Sequence, residues 1–146
     1  MTVDFLQSGD ILSLAELEKN CFPDAWDSQS WQEEFARPNF FAIGAKEHGV
    51  LVGYVCGVSL FEESELLKIA VAPSFRGQGF GEKLINAFFQ AAKTRGAEKM
   101  FLEVRESNVP AIKLYEKHAF TPLRIRKNYY ADGENAVEMV KLLDKE

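Results

Sequence analysis

Three glycines in five residues, within Arg76-Gly77-Gln78-Gly79-Phe80-Gly81, join an apolar run to a strongly amphipathic stretch. This segment forces a tight loop between an expected strand and an expected helix. Glycines leave little side-chain bulk between solvent and the main chain, so a ligand can reach the backbone N–H groups. The helix that begins here leaves its first N–H groups without intrahelical partners and aims a partial positive charge at the same point. Strand, loop and helix start together make a site for phosphates, which the cation of Arg76 at the loop's entrance also suits. A GxG pair by itself equally marks a plain turn. Two nucleotide-binding signatures fail on inspection. The Rossmann fingerprint needs its third glycine one residue later and a place near the start of a βαβ unit. A Walker A loop needs Gly-Lys-Ser/Thr, but Gly81 is followed by Glu82.

Periodicity places this loop within a mixed α/β pattern. Val3 to Gln7 reads as a short strand, and Asp10 to Asn20 as a helix that Ser8 or Asp10 could cap. Ser28 to Ala36 reads as a second helix, stopped by Pro38, and an aromatic loop from Phe22 to Trp26 separates the two. Phe40 to Ala45 and Val50 to Leu60 form an expected hairpin around His48-Gly49, followed by a strand over Glu65 to Val71. Gly79 to Arg95 is the strongest helix, with Leu84, Ile85, Phe88, Phe89 and Ala92 on one face and Gly96 closing it. Met100 to Glu106 is a strand, and Asn108 to His118 a helix with Pro110 in its first turn. Two strands follow, about Thr121 to Tyr130 and Ala136 to Leu142, split by Asp132-Gly133. Hairpins first, then alternating strands and helices, imply one α/β (α+β) sheet with helices covering it.

Length and composition set the outer limits. A chain of 146 residues, 47% hydrophobic and 27% charged, suits one globular domain over 1–146 with a proper core. A formal net charge of −5 argues against broad nucleic-acid binding, although Arg124, Arg126 and Lys127 form a small basic patch. Cys21 and Cys56 lack metal-site spacing, and Cys56 reads as a small buried hydrophobe. The N-terminus has no signal-peptide pattern, and no apolar run approaches spanning length, so a cytoplasmic protein without membrane contact is expected.

Outside the loop, three groups of residues can carry chemistry. Asn108 and Tyr115 are seven apart and would share one helix face, yet a plain N-cap and a rim tyrosine explain them equally. Glu103 interrupts an apolar strand on the same face as Phe101 and Arg105. It is either a solvated residue paired with Arg105 or a base that holds or orients a water. Arg124 to Tyr130 is either an exposed charged strand or the wall of a peptide groove built from paired tyrosines.

The order of these elements resembles the GNAT family of acetyl-CoA-dependent N-acetyltransferases. The resemblance rests on Lys68-Ile69-Ala70-Val71, Pro73 and Arg76-x-x-Gly79-x-Gly81, then Leu102-Glu103-Val104-Arg105, Asn108, Ala111, Leu114-Tyr115 and Phe120. Within the family, Phe22-Pro23 with Trp26, and Arg126-Lys127-Asn128-Tyr129-Tyr130, are most similar to bacterial ribosomal-protein alanine N-acetyltransferases. The resemblance implies a mostly antiparallel twisted sheet with helices on both faces. It implies that Ile69, Ala70 and Val71 pair with the pantetheine arm and that Arg76, Gly77, Gln78, Gly79, Phe80, Gly81 and Glu82 hold the pyrophosphate. Asn108 would contact the coenzyme near its thioester. Glu103 would be the general base and Tyr115 the general acid. Trp26, Arg126, Asn128, Tyr129 and Tyr130 would bind the acceptor. The implied reaction is N-terminal acetylation of a protein, a small-subunit ribosomal protein with N-terminal alanine, with acetyl-CoA as co-substrate and no metal. A monomer or weak homodimer is expected. A lysine or small-molecule amine as acceptor, and a non-catalytic acyl-CoA-binding module, are the alternatives. Two departures stand out: Pro110, and His118-Ala119-Phe120 in place of a Gly-Phe ending, where Ala119 puts a left-handed turn in doubt.

Overall fold

A computed structural model describes residues 1–143. Its seven strands form one sheet in the order β1-β2-β3-β4-β5-β7-β6. The strands are β1 (Thr2–Phe5), β2 (Phe40–Glu47), β3 (Val50–Leu60), β4 (Glu63–Val71), β5 (Lys99–Arg105), β6 (Thr121–Arg126) and β7 (Ala136–Leu142). The helices are α1 (Ile11–Cys21), α2 (Ser28–Phe35), α3 (Phe80–Thr94) and α4 (Val109–Lys117). Every neighbouring pair is antiparallel except β4 and β5.

Two apolar layers fix the helices on opposite faces. Leu84, Ile85 and Phe88 of α3 share a core with Phe41, Val55, Leu66, Met100 and Leu102 of the sheet, and Tyr115 of α4 joins it. Leu14 and Leu17 of α1 and Trp31 of α2 pack with Ala42, Tyr54 and Cys56 from the other face. Along β5 burial alternates, so Met100, Leu102 and Val104 turn toward α3 while Phe101, Glu103 and Arg105 turn away. The hairpin between β2 and β3 turns at His48 (φ 50°) and Gly49 (φ 79°), the left-handed pair that matches strand twist.

The sheet opens in its middle. β4 and β5 pair only through Glu63↔Lys99, Ser64↔Met100 and Glu65↔Phe101. Between β3 and β4 the register steps from Cys56↔Lys68 to Gly57↔Leu66, leaving Leu67 as an extra residue. Such a bulge bends its strand and increases the local twist. The bend brings the Glu65 carbonyl against β3, where a Cβ on Gly57 would lie 2.0 Å from that oxygen. Only glycine fits there. Beyond Glu65 the two strands separate, and the edge of β4 from Leu66 to Val71 meets no strand among the described residues.

Three local expectations differ from the structure. The first strand is displaced to Thr2–Phe5, and Gln7 instead opens a 3-10 turn at Ser8–Asp10. Neither Ser8 nor Asp10 caps α1 through its side chain; Asp10 accepts the Gln7 N–H at 2.8 Å and pairs with Lys46 at 3.1 Å. The strand expected to reach Tyr130 ends at Arg126, because Asn128 adopts φ 54° and turns the chain.

The left-handed turn doubted at Ala119 is present, with φ 71°. Phe120 donates its N–H to the Tyr115 carbonyl at 3.0 Å, and Ala119 donates to Glu116 at 3.0 Å, the two bonds of a Schellman cap. Phe120 then meets Tyr115 edge-on with ring centroids 5.7 Å apart. That apolar contact holds a conformation alanine disfavours. Ala119→Gly should therefore stabilise the protein by about 1 kcal/mol in urea unfolding, and no gain would mean that the turn is unstrained.

Candidate active site

A cleft of about 1230 Å³ fills the opening between β4 and β5. One wall is the free edge of β4: Ile69, Ala70 and Val71 pair with β3 on one side and line the cleft with the other. An unpaired strand edge offers alternating N–H and C=O groups to an extended ligand.

At the end of β4 the chain passes through a 3-10 turn at Pro73–Phe75 into the glycine loop. Arg76 folds back, its Nε donating to the Val71 carbonyl at 2.9 Å, and this ties the loop to the strand. Gly77 and Gly79 take φ of 78° and 86°, a left-handed geometry that turns the chain into α3. A Cβ on Gly77, Gly79 or Gly81 would meet nothing within 4 Å. The cradle is open, and all three glycines line the cleft with Arg76. Phe80 also lines it but buries its ring against Phe75, with centroids 5.9 Å apart. Gln78 and Glu82 do not reach the cleft. The Gln78 amide donates to Ser74 at 3.4 Å, and the Glu82 carboxylate is held by Lys117, which keeps it below the usual carboxylate range. Their backbone groups remain part of the loop and first helical turn.

The opposite wall comes from β5 and α4. Asn108 caps α4, its Oδ1 accepting the Ala111 N–H at 3.2 Å, which leaves its amide nitrogen as a donor. Asn108 and Tyr115 both line the cleft, although Asn108 stands before the helix rather than on its face. Burial pushes the Tyr115 hydroxyl up to about 12, with a smaller contribution from Tyr130. It therefore carries its proton across the physiological range.

Glu103 lies at the split in the sheet. It accepts the Tyr129 hydroxyl at 2.8 Å and pairs with Arg126 Nε at 2.7 Å. The hydrogen bond to Glu103 raises the Tyr129 hydroxyl above its ordinary value. Arg105, expected as a partner of Glu103, binds both Asp132 oxygens at 2.9 and 3.1 Å and Glu134 at 3.0 Å instead. Its guanidinium lies 4.1 Å over the Tyr130 ring, which lines the cleft.

Of the five residues expected at the acceptor, Trp26 and Tyr130 line the cleft, whereas Tyr129 and Arg126 approach it through Glu103. Arg126 also pairs with Glu138 at 3.3 Å and lines a second cavity of about 410 Å³ with Glu65 and Phe101. Asn128 does not line the cleft; its backbone N–H donates to the Asn135 side chain at 3.0 Å in the β6–β7 turn.

Glu18 and Lys68, to which the sequence assigned no role, pair at 2.7 Å beside Trp26. A trace of them was visible, because Glu18 falls on the Leu14, Leu17, Cys21 stripe and Lys68 interrupts Leu66-Leu67-Lys68-Ile69. Asp132, read only as a turn residue, and Glu134 contact Arg105 across 27 and 29 positions, a separation that leaves no local pattern.

The chain that carries this site has counterparts in known proteins. The profile of the "Acetyltransferase (GNAT) family" matches residues 11–120. The chain belongs to that family. It is 39% identical over 138 residues to the "[Ribosomal protein bS18]-alanine N-acetyltransferase" of Haemophilus influenzae, covering 92% of this chain and 93% of the relative. It is 33% identical over 147 residues to "N-alpha-acetyltransferase RimI" of Mycobacterium tuberculosis, covering 95% and 90%. The crystal structure of the ribosomal-protein-S18-alanine N-acetyltransferase from Escherichia coli superposes with a TM-score of 0.90 at 27% identity, covering 98% and 94%. As a GNAT acetyltransferase the protein takes its acetyl group from acetyl-CoA. The open cradle at the head of the 15-residue helix α3 fits the pyrophosphate of that co-substrate.

Gly81 separates fold from ligand binding. It sits in the first turn of α3, where alanine is the better helix former. Gly81→Ala should stabilise the protein by roughly 0.5 kcal/mol in thermal unfolding. The added methyl group should weaken acetyl-CoA binding about tenfold by calorimetry, since the backbone can no longer be approached as closely. Unchanged affinity would show that the coenzyme lies elsewhere.

Proposed function

We propose that this GNAT enzyme acetylates the N-terminal amine of a protein, and that a ribosomal protein beginning with alanine is its acceptor. The convergence of Glu103 and Tyr115 on one cleft with the glycine cradle carries this reading. The acceptor class agrees with relatives named for alanine N-acetylation of ribosomal protein bS18.

Acetyl-CoA supplies an activated thioester. Arg76 and the N–H groups of residues 77–82 hold its diphosphate, the edge of Ile69 to Val71 aligns its pantetheine arm, and Asn108 donates near the thioester. The acceptor amine attacks the thioester carbonyl and must be neutral to do so. An α-amine has a reference pKa of about 7.7–8.0, so deprotonation at pH 7 costs about 1 kcal/mol, against about 4–5 kcal/mol for a lysine near 10.4. A carboxylate is a weak base, and Glu103 therefore suits the easier acceptor. Tyr129 and Arg126 fix its orientation, and it takes the amine proton directly or through one water. Tyr115 gives its proton to the departing thiolate. Trp26 and Tyr130 line the acceptor end.

On peptides that differ only in their reactive amine, N-terminal alanine should be acetylated at least about a hundredfold faster in kcat/KM than an internal lysine, as the difference in deprotonation cost requires. Mass spectrometry of ribosomal proteins from cells with and without this chain identifies the acceptor by one acetyl-sized N-terminal shift. A faster lysine reaction, or no shift, would refute the proposed acceptor.

The role of Tyr115 has a pH signature. Tyr115→Phe should lower kcat about a hundredfold with little change in acetyl-CoA affinity. Because the Tyr115 hydroxyl stays protonated until about pH 12, wild-type kcat should show no descending limb near 10, the reference tyrosine value. A limb at that position, lost in Tyr115→Phe, would contradict the raised value.

A further inference from the structure

Glu18 of α1 has no exposure to solvent, a place a carboxylate holds only when charge-paired and hydrogen-bonded. Its partners come from three segments. Tyr54 of β3 donates its hydroxyl, Lys68 of β4 donates its ammonium at 2.7 Å, and the backbone N–H of Trp26 donates at 3.0 Å. The Lys68 ammonium also lies 4.3 Å over the Trp26 ring and 4.8 Å over the Phe22 ring. One ion pair thus holds the loop between α1 and α2 by its main chain and by two aromatic faces. Phe22, Trp26 and Lys68 all line the cleft. Lys68 immediately precedes Ile69 to Val71, the edge assigned to the coenzyme.

We propose that Glu18 and Lys68 are positioning residues for the acceptor, fixing the Phe22–Trp26 loop in register with the coenzyme strand. The inference rests on the acetyl-transfer reading and adds the element that sets the distance between the two substrates. Stability alone is a poor account of the pair, since apolar side chains of similar volume commonly serve a core as well as a buried ion pair does. A charge shared between a buried carboxylate and two cleft-lining rings instead fixes where those rings stand. Glu18, with no exposure to solvent, acts only through its partners, and the Lys68 ammonium is engaged by Glu18 and the two rings.

The test uses the full-length enzyme, a peptide with N-terminal alanine, and the variants Glu18→Gln, Glu18→Gln/Lys68→Met and Lys68→Arg. The side-chain amide in Glu18→Gln still accepts the Trp26 N–H but no longer pairs its charge with Lys68; the double variant removes both charges. In both, KM for the peptide should rise about tenfold, because the reacting groups lose alignment, while KM for acetyl-CoA and kcat at saturating peptide stay within about twofold. Lys68→Arg keeps a cation over the rings and should hold peptide KM within about twofold of wild type. With both tryptophans labelled as 5-fluorotryptophan, the ¹⁹F resonance of Trp26 should shift or broaden in Glu18→Gln while that of Trp31 stays sharp. Unchanged peptide KM overturns the proposal, as does a joint loss of kcat, both KM values and thermal stability. If the wild type acetylates no peptide, the proposed acceptor fails separately, and the ¹⁹F spectrum decides: an unmoved Trp26 resonance overturns the positioning role.

Discussion

The separation of β4 from β5 is the constraint on which the rest of the site depends. Three residue pairs join these strands, and then the bulge at Leu67 turns β4 away. The bulge in turn needs Gly57, since any Cβ there would overlap the Glu65 carbonyl. A closed sheet would satisfy the edge of Ile69 to Val71 with another strand and leave no room for a ligand. Opening the sheet leaves the same backbone groups along the wall of a cleft. It also exposes Glu103, which in a continuous sheet would face a neighbouring strand's side chains.

Around this opening each wall is held by contacts that reach across the sequence. Arg76 ties the glycine loop to the last carbonyl of β4. Lys117 ties the end of α4 to Glu82 at the start of α3, so the helices on the two sides of the cradle are linked. Arg105 gathers Asp132 and Glu134 beneath the β6–β7 turn, and Ser107 donates its N–H to Glu134 at 2.8 Å. Those contacts lower both carboxyls, chiefly through the Glu134 backbone at Asp132 and through Ser107 at Glu134. One guanidinium thus serves two carboxylates, and the cluster keeps a net negative charge.

Features readable from sequence were those written in short segments. The apolar face of α3, the turn at His48-Gly49 and the order of elements depend on residues a few positions apart, and they appear as expected. Ala119 shows where local preference misleads: the expected objection to a left-handed alanine is sound, but Phe120 packing on Tyr115 outweighs a penalty of about 1 kcal/mol. Glu103 was legible as a carboxylate out of place in an apolar strand, yet its partners were not. Arg105 shares its face two residues away, but Arg126 and Tyr129 reach it from the neighbouring hairpin. The partners of Glu18 were hidden for the same reason, because they lie 8, 36 and 50 positions away.

By itself, the chain's order of residues determined a strand, a glycine turn and a helix whose first amides are free. It did so because glycine spacing and helical periodicity act over a single loop and turn. Tertiary structure alone decided which side chains meet in the opening. A hydrogen bond such as Tyr129 to Glu103 depends on strand pairing and sheet order, and residues 26 positions apart carry no mark of it until the sheet has formed.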